Sequence, residues 1–180
     1  MARERIPADL ATDNDARRLQ AAGIPSRAIT TGQACHLDAE LVHRSLHDFP
    51  WRETDVFFVE NVGNLVCPAI YDLGQAANVV VLSVTEGEDK PLKYPVMFKA
   101  ADLVVIAKCD LIPHLEVDLA KLHDALSRVM PAPRAIEVSA RTGQGIEAWV
   151  AWLAEQRAPL EGVVRRGGST GHTHSSAHER

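Results

Sequence analysis

A lysine and an aspartate two positions apart follow an apolar, β-branched run in this chain. The run ends at Ile106, and Lys108 and Asp110 come directly after it. Ligands of open α/β sheets bind at the carboxyl ends of the strands, so a strand that ends here would place both side chains at a binding edge. A carboxylate accepts hydrogen bonds from the ring N–H and the amino group of guanine, while a lysine stem packs along the nucleotide. The pair predicts a guanine-nucleotide site; the alternative is an ordinary solvated strand end.

A second polar group follows the next apolar run. It consists of Ser139, Ala140 and Arg141. Neighbouring parallel strands end at the same edge of a sheet. A backbone amide of this turn is therefore in a position to meet the guanine carbonyl oxygen, and the turn is the expected companion of the first group.

Thiol and imidazole groups occur in two short strings. Cys35 and His36 are adjacent, and Cys67 comes directly before a proline. Zinc prefers these ligands and nickel also takes them. Cys35 and His36 stand at the start of a predicted helix, whose dipole favours the thiolate form. Three ligands leave a tetrahedral site open to water or to a second chain; the alternative is two buried cysteines and a capping histidine.

A carboxylate and a glycine follow another predicted strand. Glu60 stands directly after the strand and Gly63 comes three positions later. A carboxylate in this place can hold Mg²⁺ or its water, and a glycine amide can approach a terminal phosphate. Asp9 and Asp13 are candidates for further oxygen ligands. The alternative is a polar turn.

Apolar runs and helical stripes alternate along the chain, and these elements must position the polar groups. Strands are predicted at residues 56–59, 79–84, 103–106 and 135–138, with a weaker one at 27–30. Helices are predicted at residues 14–22, 37–46, 119–129 and from 146 onward. The middle two strands lack polar alternation, which is typical of strands that are covered on both faces. The pattern predicts an α/β fold with a mainly parallel sheet and flanking helices.

The two ends of the chain lack these patterns. Residues 1–8 show no periodicity, and the composition after residue 158 predicts a disordered tail that carries His172, His174 and His178. We therefore expect one α/β domain over residues 1–158 and a histidine-containing tail over residues 159–180.

Composition narrows the classes of function. The net charge of −5 over 180 residues argues against a nucleic-acid binder. The longest uncharged stretch, residues 73–85, is too short to span a bilayer, so no membrane association is expected. No secretory signal is visible, and the expected location is the cytoplasm. Three cysteines in such a chain favour metal binding or burial over disulfides.

Four strings of residues taken together resemble one family, the hydrogenase nickel-incorporation GTPases or HypB-type maturation proteins. The strings are DLATDNDA at 9–16, TGQACHLD at 31–38, ENVGNLVCP at 60–68 and VTEGEDK at 84–90. The resemblance covers about residues 8–157, and the cysteine-bearing strings are its most specific part. It implies a P-loop NTPase-like fold that forms a homodimer on GTP. It also implies nickel delivery to the large subunit of nickel–iron hydrogenase, with a HypA-like nickel-binding partner.

The resemblance also implies roles for individual residues. The metal ligands for Ni²⁺ or Zn²⁺ at the dimer interface would be Cys35, His36 and Cys67. The magnesium and switch machinery of GTP hydrolysis would include Asp9, Glu60 and Gly63. The guanine contacts would be Lys108 and Asp110, and the second base loop would contain Ser139, Ala140 and Arg141.

Two departures from the family pattern change the expectation for this chain. Family members carry a first strand, a P-loop and a first helix before the stretch that matches Asp9. No Gly-x-x-x-x-Gly-Lys-Ser/Thr motif occurs in the 180 residues, and we expect weak GTP binding, no detectable hydrolysis and open apolar sheet edges. Ala107 also stands where the family has asparagine. Two interpretations follow: a nickel-incorporation GTPase homologue truncated at its N-terminus, or a nickel or zinc carrier that does not hydrolyse nucleotide.

Overall fold

The computed structural model describes residues 3–7, 14–29, 37–61, 63 and 72–167, without the side chains of 3–7 and 158–167. The strands are β1 (Arg3–Pro7), β2 (Val56–Glu60), β3 (Val79–Ser83), β4 (Leu103–Ala107) and β5 (Ala135–Val138). The helices are α1 (Asn14–Ala21), α2 (Ala39–Leu46), α3 (Lys90–Lys93), α4 (Pro95–Lys99), α5 (Leu119–Val129) and α6 (Ile146–Gly167). Short 3₁₀ helices occupy Trp51–Glu53, Val84–Glu86 and Cys109–His114.

All described strand pairs are parallel, and they form two separate sheets. One sheet pairs β1 with β2, and the other has the order β3-β4-β5. The mainly parallel sheet with flanking helices is the predicted fold class. Parallel order brings the carboxyl ends of β3, β4 and β5 to one edge, where the polar strings begin.

The three-stranded sheet packs against helices on both faces, and its middle strand β4 is apolar at every position. On one face, Leu82 of β3 and Ile106 of β4 are buried against Leu122 and Leu126 of α5. On the other face, β4 and β5 pack against Trp152 and its neighbours on α6. This double burial explains why these strands lack polar alternation.

The smaller sheet has its own core with α2. Leu37 and Val42 are buried, and Phe57 and Val59 of β2 pack against them. Asp38 caps α2, since its carboxylate oxygen Oδ1 accepts a hydrogen bond of 2.7 Å from the amide of Leu41. The predicted stripe from Leu37 to Leu46 is therefore confirmed as a helix with its own capping residue.

The structure corrects three details of the sequence-based expectation. Strand β1 lies within residues 1–8, whose sequence shows no periodicity. Its pairing with β2 identifies it as a strand. Residues 27–29, the described part of the weaker predicted strand 27–30, form no strand; among the described residues there, isolated bridges occur at Ser26 and Ile29. Helix α6 continues to Gly167, past the predicted start of the tail at residue 159. The apolar spacing of Leu153, Leu160 and Val164 continues the helical period through Pro159.

The residues beyond Gly167, including the three tail histidines, lie outside the described residues. Within the described part, no helix combines the length and the apolar character that a membrane crossing needs.

Candidate functional site

The chain leaves β4 through a residue in a left-handed conformation. Lys108 has a φ of 63°, which is unusual for a residue with a side chain. It is exposed at the end of the strand, while Cys109 behind it is buried in the core. The Cys109 thiol donates a hydrogen bond of 3.2 Å to the carbonyl of Ile106. Burial raises the pKa of Cys109, so this thiol stays protonated at neutral pH.

A short hydrogen bond joins the ends of β4 and β5. The Ser139 hydroxyl donates to Oδ1 of Asp110 at 2.6 Å, and Ser139 is fully buried. The same hydroxyl oxygen accepts from the amide of Thr142 at 3.2 Å. Within the described residues, Oδ2 of Asp110 has no hydrogen-bond partner, so one carboxylate oxygen is fixed and the other is available.

The loop between β5 and α6 closes around Ser139. The Ser139 amide donates to the carbonyl of Gln144 at 3.0 Å, and the amide of Gly143 donates to the Ser139 carbonyl at 2.9 Å. Ala140 and Arg141 are exposed at the tip of the turn. In the described part of the chain, their amides donate no hydrogen bond, which leaves two donors beside the available Asp110 oxygen.

Gly145 makes this loop possible. Its φ is +72°, and a Cβ atom there would overlap the carbonyl oxygen of Glu137 on β5. Only glycine lets the start of α6 approach the strand this closely.

Glu86 lies at the same edge, after β3. Its Oε1 accepts from the Ser83 amide at 3.0 Å, and its Oε2 pairs with the Lys90 ammonium at 2.8 Å. Burial alone would raise the pKa of Glu86. The hydrogen bonds from Lys90 and Ser83, together with the positive charges of Lys90 and Lys108, outweigh burial and lower it. The 3₁₀ turn ends at Glu86, and the connection at residues 87–89 leads to α3, which begins at Lys90.

The capping role of Glu86 was not predicted from the sequence. The signal is the spacing of Ser83 and Glu86, which is that of a capping box, and the structure has both of its hydrogen bonds.

The end of β2 contacts the start of the α2 segment. Oδ1 of Asn61 accepts a hydrogen bond of 3.1 Å from the amide of Leu37, which is fully buried. Glu60 is half-buried at the end of β2, and Gly63 is exposed two residues beyond Asn61. Asn61 was not predicted to have a role, and its side chain positions the residue that directly follows the candidate ligand pair 35–36.

The remaining candidates are not placed by the structure. Asp9, Cys35, His36 and Cys67 lie outside the described residues. Among the residues that are described, no three His, Cys, Asp or Glu side chains form a group that could hold a metal ion. The base-site candidates, by contrast, are brought together, with Asp110 bonded directly to Ser139.

Comparison with known proteins agrees with this architecture. A family model described as the CobW/HypB/UreG nucleotide-binding domain matches residues 6–137. The Azotobacter vinelandii hydrogenase maturation factor HypB is 52% identical over 152 residues, which are 84% of this chain and 50% of that protein. Its Escherichia coli K12 counterpart is 47% identical over 152 residues, again 84% of this chain and 52% of that protein.

Solved structures give the same result. The structure of HypB from Helicobacter pylori in complex with nickel matches with a TM-score of 0.83 and 34% identity, covering 98% of this chain and 80% of that one. Hydrogenase maturation factor HypB from Archaeoglobus fulgidus matches with a TM-score of 0.78 and 36% identity, covering 86% of this chain and 75% of that one. The chain spans about half the length of the curated relatives quoted above. From its fold, the family model and these identities, the chain belongs to the HypB family within the CobW/HypB/UreG nucleotide-binding proteins.

Proposed function

We propose that this chain supplies the guanine-recognition and metal-carrying parts of a GTP-dependent nickel-delivery protein in hydrogenase maturation. The observation that carries the proposal is the 2.6 Å hydrogen bond between Ser139 and Asp110, which fixes a carboxylate at the joint end of β4 and β5. The family relationship supplies the biological setting, since the curated relatives are hydrogenase maturation factors.

The arrangement fits a guanine base by its donors and acceptors. Oδ2 of Asp110 is available to accept from the ring N–H and the amino group of guanine, while Oδ1 is held by Ser139. The exposed amides of Ala140 and Arg141 are donors suited to the guanine carbonyl oxygen. The exposed Lys108 is suited to cover one face of the base with its stem.

The metal part of the proposal concerns nickel as cargo. Cys35, His36 and Cys67 would hold Ni²⁺, or Zn²⁺ in its place, through two thiolates and an imidazole. The hydrogen bond from Leu37 to Asn61 supports this set, because it joins the residue after His36 to the string that leads to Cys67. A homodimer would complete the coordination from two such sets.

The nucleotide would be coupled to that metal site through β2. Glu60 and Asp9 would hold the Mg²⁺ that accompanies GTP, and the Gly63 amide would approach a phosphate. Mg²⁺ supplies neutralisation of phosphate charge when it is bound. Glu60 is adjacent to Asn61, whose side chain accepts a hydrogen bond from the Leu37 amide just before α2. The end of β2 would therefore connect the bound nucleotide to the metal ligands beside Leu37. A HypA-like protein and the hydrogenase large subunit are the proposed partners, and the cytoplasm is the proposed location.

The 180 residues contain no Gly-x-x-x-x-Gly-Lys-Ser/Thr motif. This stretch by itself therefore lacks the amide cradle and the lysine for phosphate, and it should bind GTP weakly through the base.

The base site is tested by the change Asp110→Asn. The amide nitrogen of asparagine donates a hydrogen bond where the carboxylate accepts, which disfavours guanine and favours xanthine with its second carbonyl oxygen. Ser139 can still donate to the asparagine oxygen, so the loop should keep its shape. Ligand-observed NMR with guanosine and xanthosine diphosphates should show a preference for guanine in the unaltered chain and for xanthine in the variant. An unchanged preference would contradict the assignment of Asp110.

A further inference from the structure

A cavity of about 360 Å³ lies between the stretch 27–29 and helix α2. It is lined by two arginines, one serine and three apolar residues: Arg27, Arg44, Ser45, Ala28, Ile29 and Leu41. Among the described residues that line it there is no carboxylate. Its volume lies in the range of small-molecule sites, and none of its residues belongs to the proposed guanine site or to the proposed nickel ligands.

The Arg27 guanidinium is held in one position at the end of α2. Its Nη1 donates a hydrogen bond of 2.8 Å to the carbonyl of Ser45, and its Nη2 donates one of 3.2 Å to the carbonyl of Asp48. Its Cζ atom lies 5.5 Å from the centroid of the Phe49 ring. These contacts fix the guanidinium before a ligand arrives, so binding would cost little side-chain entropy.

The positive charge of Arg27 is not neutralised in the described part of the chain. Arg27 is half-buried, and its two acceptors are carbonyl groups, which carry no net charge. The negative end of the α2 dipole favours a cation here, but a charge withdrawn from water usually has a charged partner. The two carbonyls use only some of the N–H donors of a guanidinium, and the others are available to an anion.

A second guanidinium at the same cavity is free to move. The side chain of Arg44 is 66% exposed, and its Nη1 lies 3.9 Å from the Glu40 carboxylate, which is too far for a hydrogen bond. An exposed pair of this kind contributes little to stability, so Arg44 can turn towards a ligand at small cost. Two guanidinium groups at one cavity favour a ligand with two negative charges.

The remaining lining is mainly apolar. Ile29 is 4% exposed and belongs to the same apolar cluster as Leu37 and Val42. Leu41 packs against this cluster from α2. A ligand with a carbon chain would cover this apolar surface, whereas an inorganic anion would leave it in contact with water.

We infer that this cavity is a binding site for a small organic dicarboxylate. One carboxylate would pair with Arg27 and the other with Arg44, since the planar guanidinium fork matches a carboxylate. The carbon chain between them would lie on Ile29 and Leu41. Such a site would bind its ligand without nucleotide and without nickel, so it goes beyond the proposed function and can be tested apart from it.

The experiment is a nuclear magnetic resonance titration of the ¹⁵N-labelled 180-residue chain with glutarate, in the absence of metal and nucleotide. We expect saturable one-to-one shifts of the Leu41 and Ser45 amide signals and of the Arg27 Nε–H signal. Arg44→Gln should weaken glutarate binding about tenfold or more, because charge-assisted hydrogen bonds are lost. Arg18→Gln is the matched control, since Arg18 is an exposed arginine on α1 beside Asp15 and does not line the cavity; binding should stay unchanged.

Three further probes define the class of ligand. Glutaramide has the same carbon chain without charge and should not bind. Inorganic phosphate covers no apolar surface, and N-acetylglutamate amide presents one side-chain carboxylate as a polypeptide would; both should bind about tenfold more weakly than glutarate or worse. The assignment is overturned if glutarate gives no saturable shifts, if Arg44→Gln binds it as well as the unaltered chain, or if any of the three probes binds as tightly as glutarate.

Discussion

The Ser139 side chain joins two strand ends that are remote in sequence. Its hydroxyl donates to Asp110 and accepts from the Thr142 amide, and it is fully buried. Asp110 belongs to the proposed base site, and Thr142 directly follows Ala140 and Arg141 of the second base loop. The shape of that site therefore depends on one hydroxyl group.

Replacing Ser139 with alanine should destabilise the chain by about 1–3 kcal/mol, because it leaves the Thr142 amide and the Asp110 oxygen without their partner. Ser127→Ala is the matched control, since Ser127 is exposed on α5 and bonds only to a backbone carbonyl of its own helix. Urea denaturation measures both free energies of unfolding. Equal losses of unfolding free energy in the two variants would contradict the stabilising role of the Ser139 hydrogen bonds.

Glu86 gives a prediction for pH. Its folded-state pKa is lowered below the ordinary value of 4.5, so its contribution to stability is fully present above pH 4.5 and is lost as pH falls through the folded-state value. Glu86→Gln should cost less than about 1 kcal/mol at pH 7, because the side chain is about one-third exposed and solvent screens the pair. The difference from the unaltered chain should disappear well below pH 4.5.

Thermal or urea unfolding at several pH values tests this pH dependence. Glu116→Gln is the control, since Glu116 is exposed and makes no ion pair within the described residues. A deficit of Glu86→Gln that persists unchanged in acid would contradict an ionic role for Glu86.

The turn between β5 and α6 is the element that positions the second base loop. It depends on the close approach of Gly145 to the backbone of β5. The loop that contains Ser139, Ala140 and Arg141 ends at this glycine. A substitution of Gly145 that pushes α6 away from β5 would therefore move the amides at the tip of the loop.

Gly145→Ala should destabilise the chain by more than about 3 kcal/mol, because it adds a clash with rigid backbone to the cost of a positive φ. Gly74→Ala is a matched control: its φ is +76°, but a Cβ there has open space. It should lose only about 1 kcal/mol. Urea denaturation distinguishes the two, and equal losses would contradict the close approach.

How far sequence predicts structure differs between the two sheets. The strands β2 to β5 and the helices α1, α2 and α5 follow from apolar runs and stripes, because burial on one or both faces selects those residues. Strand β1 does not follow from an apolar pattern, because it begins with the charged residues Arg3, Glu4 and Arg5. Only its pairing with β2 identifies it as a strand. The 3₁₀ turn after β3 has a local capping box of Ser83 and Glu86, which apolar periodicity does not detect.

The same contrast holds for the candidate site. Lys108, Asp110 and Ser139 could be placed at one edge because parallel strands end together, and the structure joins Asp110 to Ser139. The roles of Asn61 and Glu86 depend on hydrogen bonds that form only after the chain has folded. Cys35, His36 and Cys67 stay a prediction from residue type and family resemblance.

At the scale of the whole molecule, we propose that one chain combines a guanine-nucleotide site with a nickel-thiolate site. The most direct measurement is a nickel titration of a variant truncated after Gly167, where α6 ends, so that the three tail histidines cannot contribute. Thiolate ligation gives a sulfur-to-nickel charge-transfer band in the near ultraviolet and weakens as pH falls, because the ligands must be deprotonated.

Two further changes in the truncated chain decide which sulfur binds. Cys109→Ala should leave band and affinity unchanged, since the Cys109 thiol is buried and burial raises its pKa. Cys67→Ala should weaken the band, since Cys35 would remain as one thiolate ligand, and should weaken nickel binding about tenfold or more. A truncated chain without a thiolate band, or a Cys67→Ala variant that keeps band and affinity, would contradict the proposed nickel site.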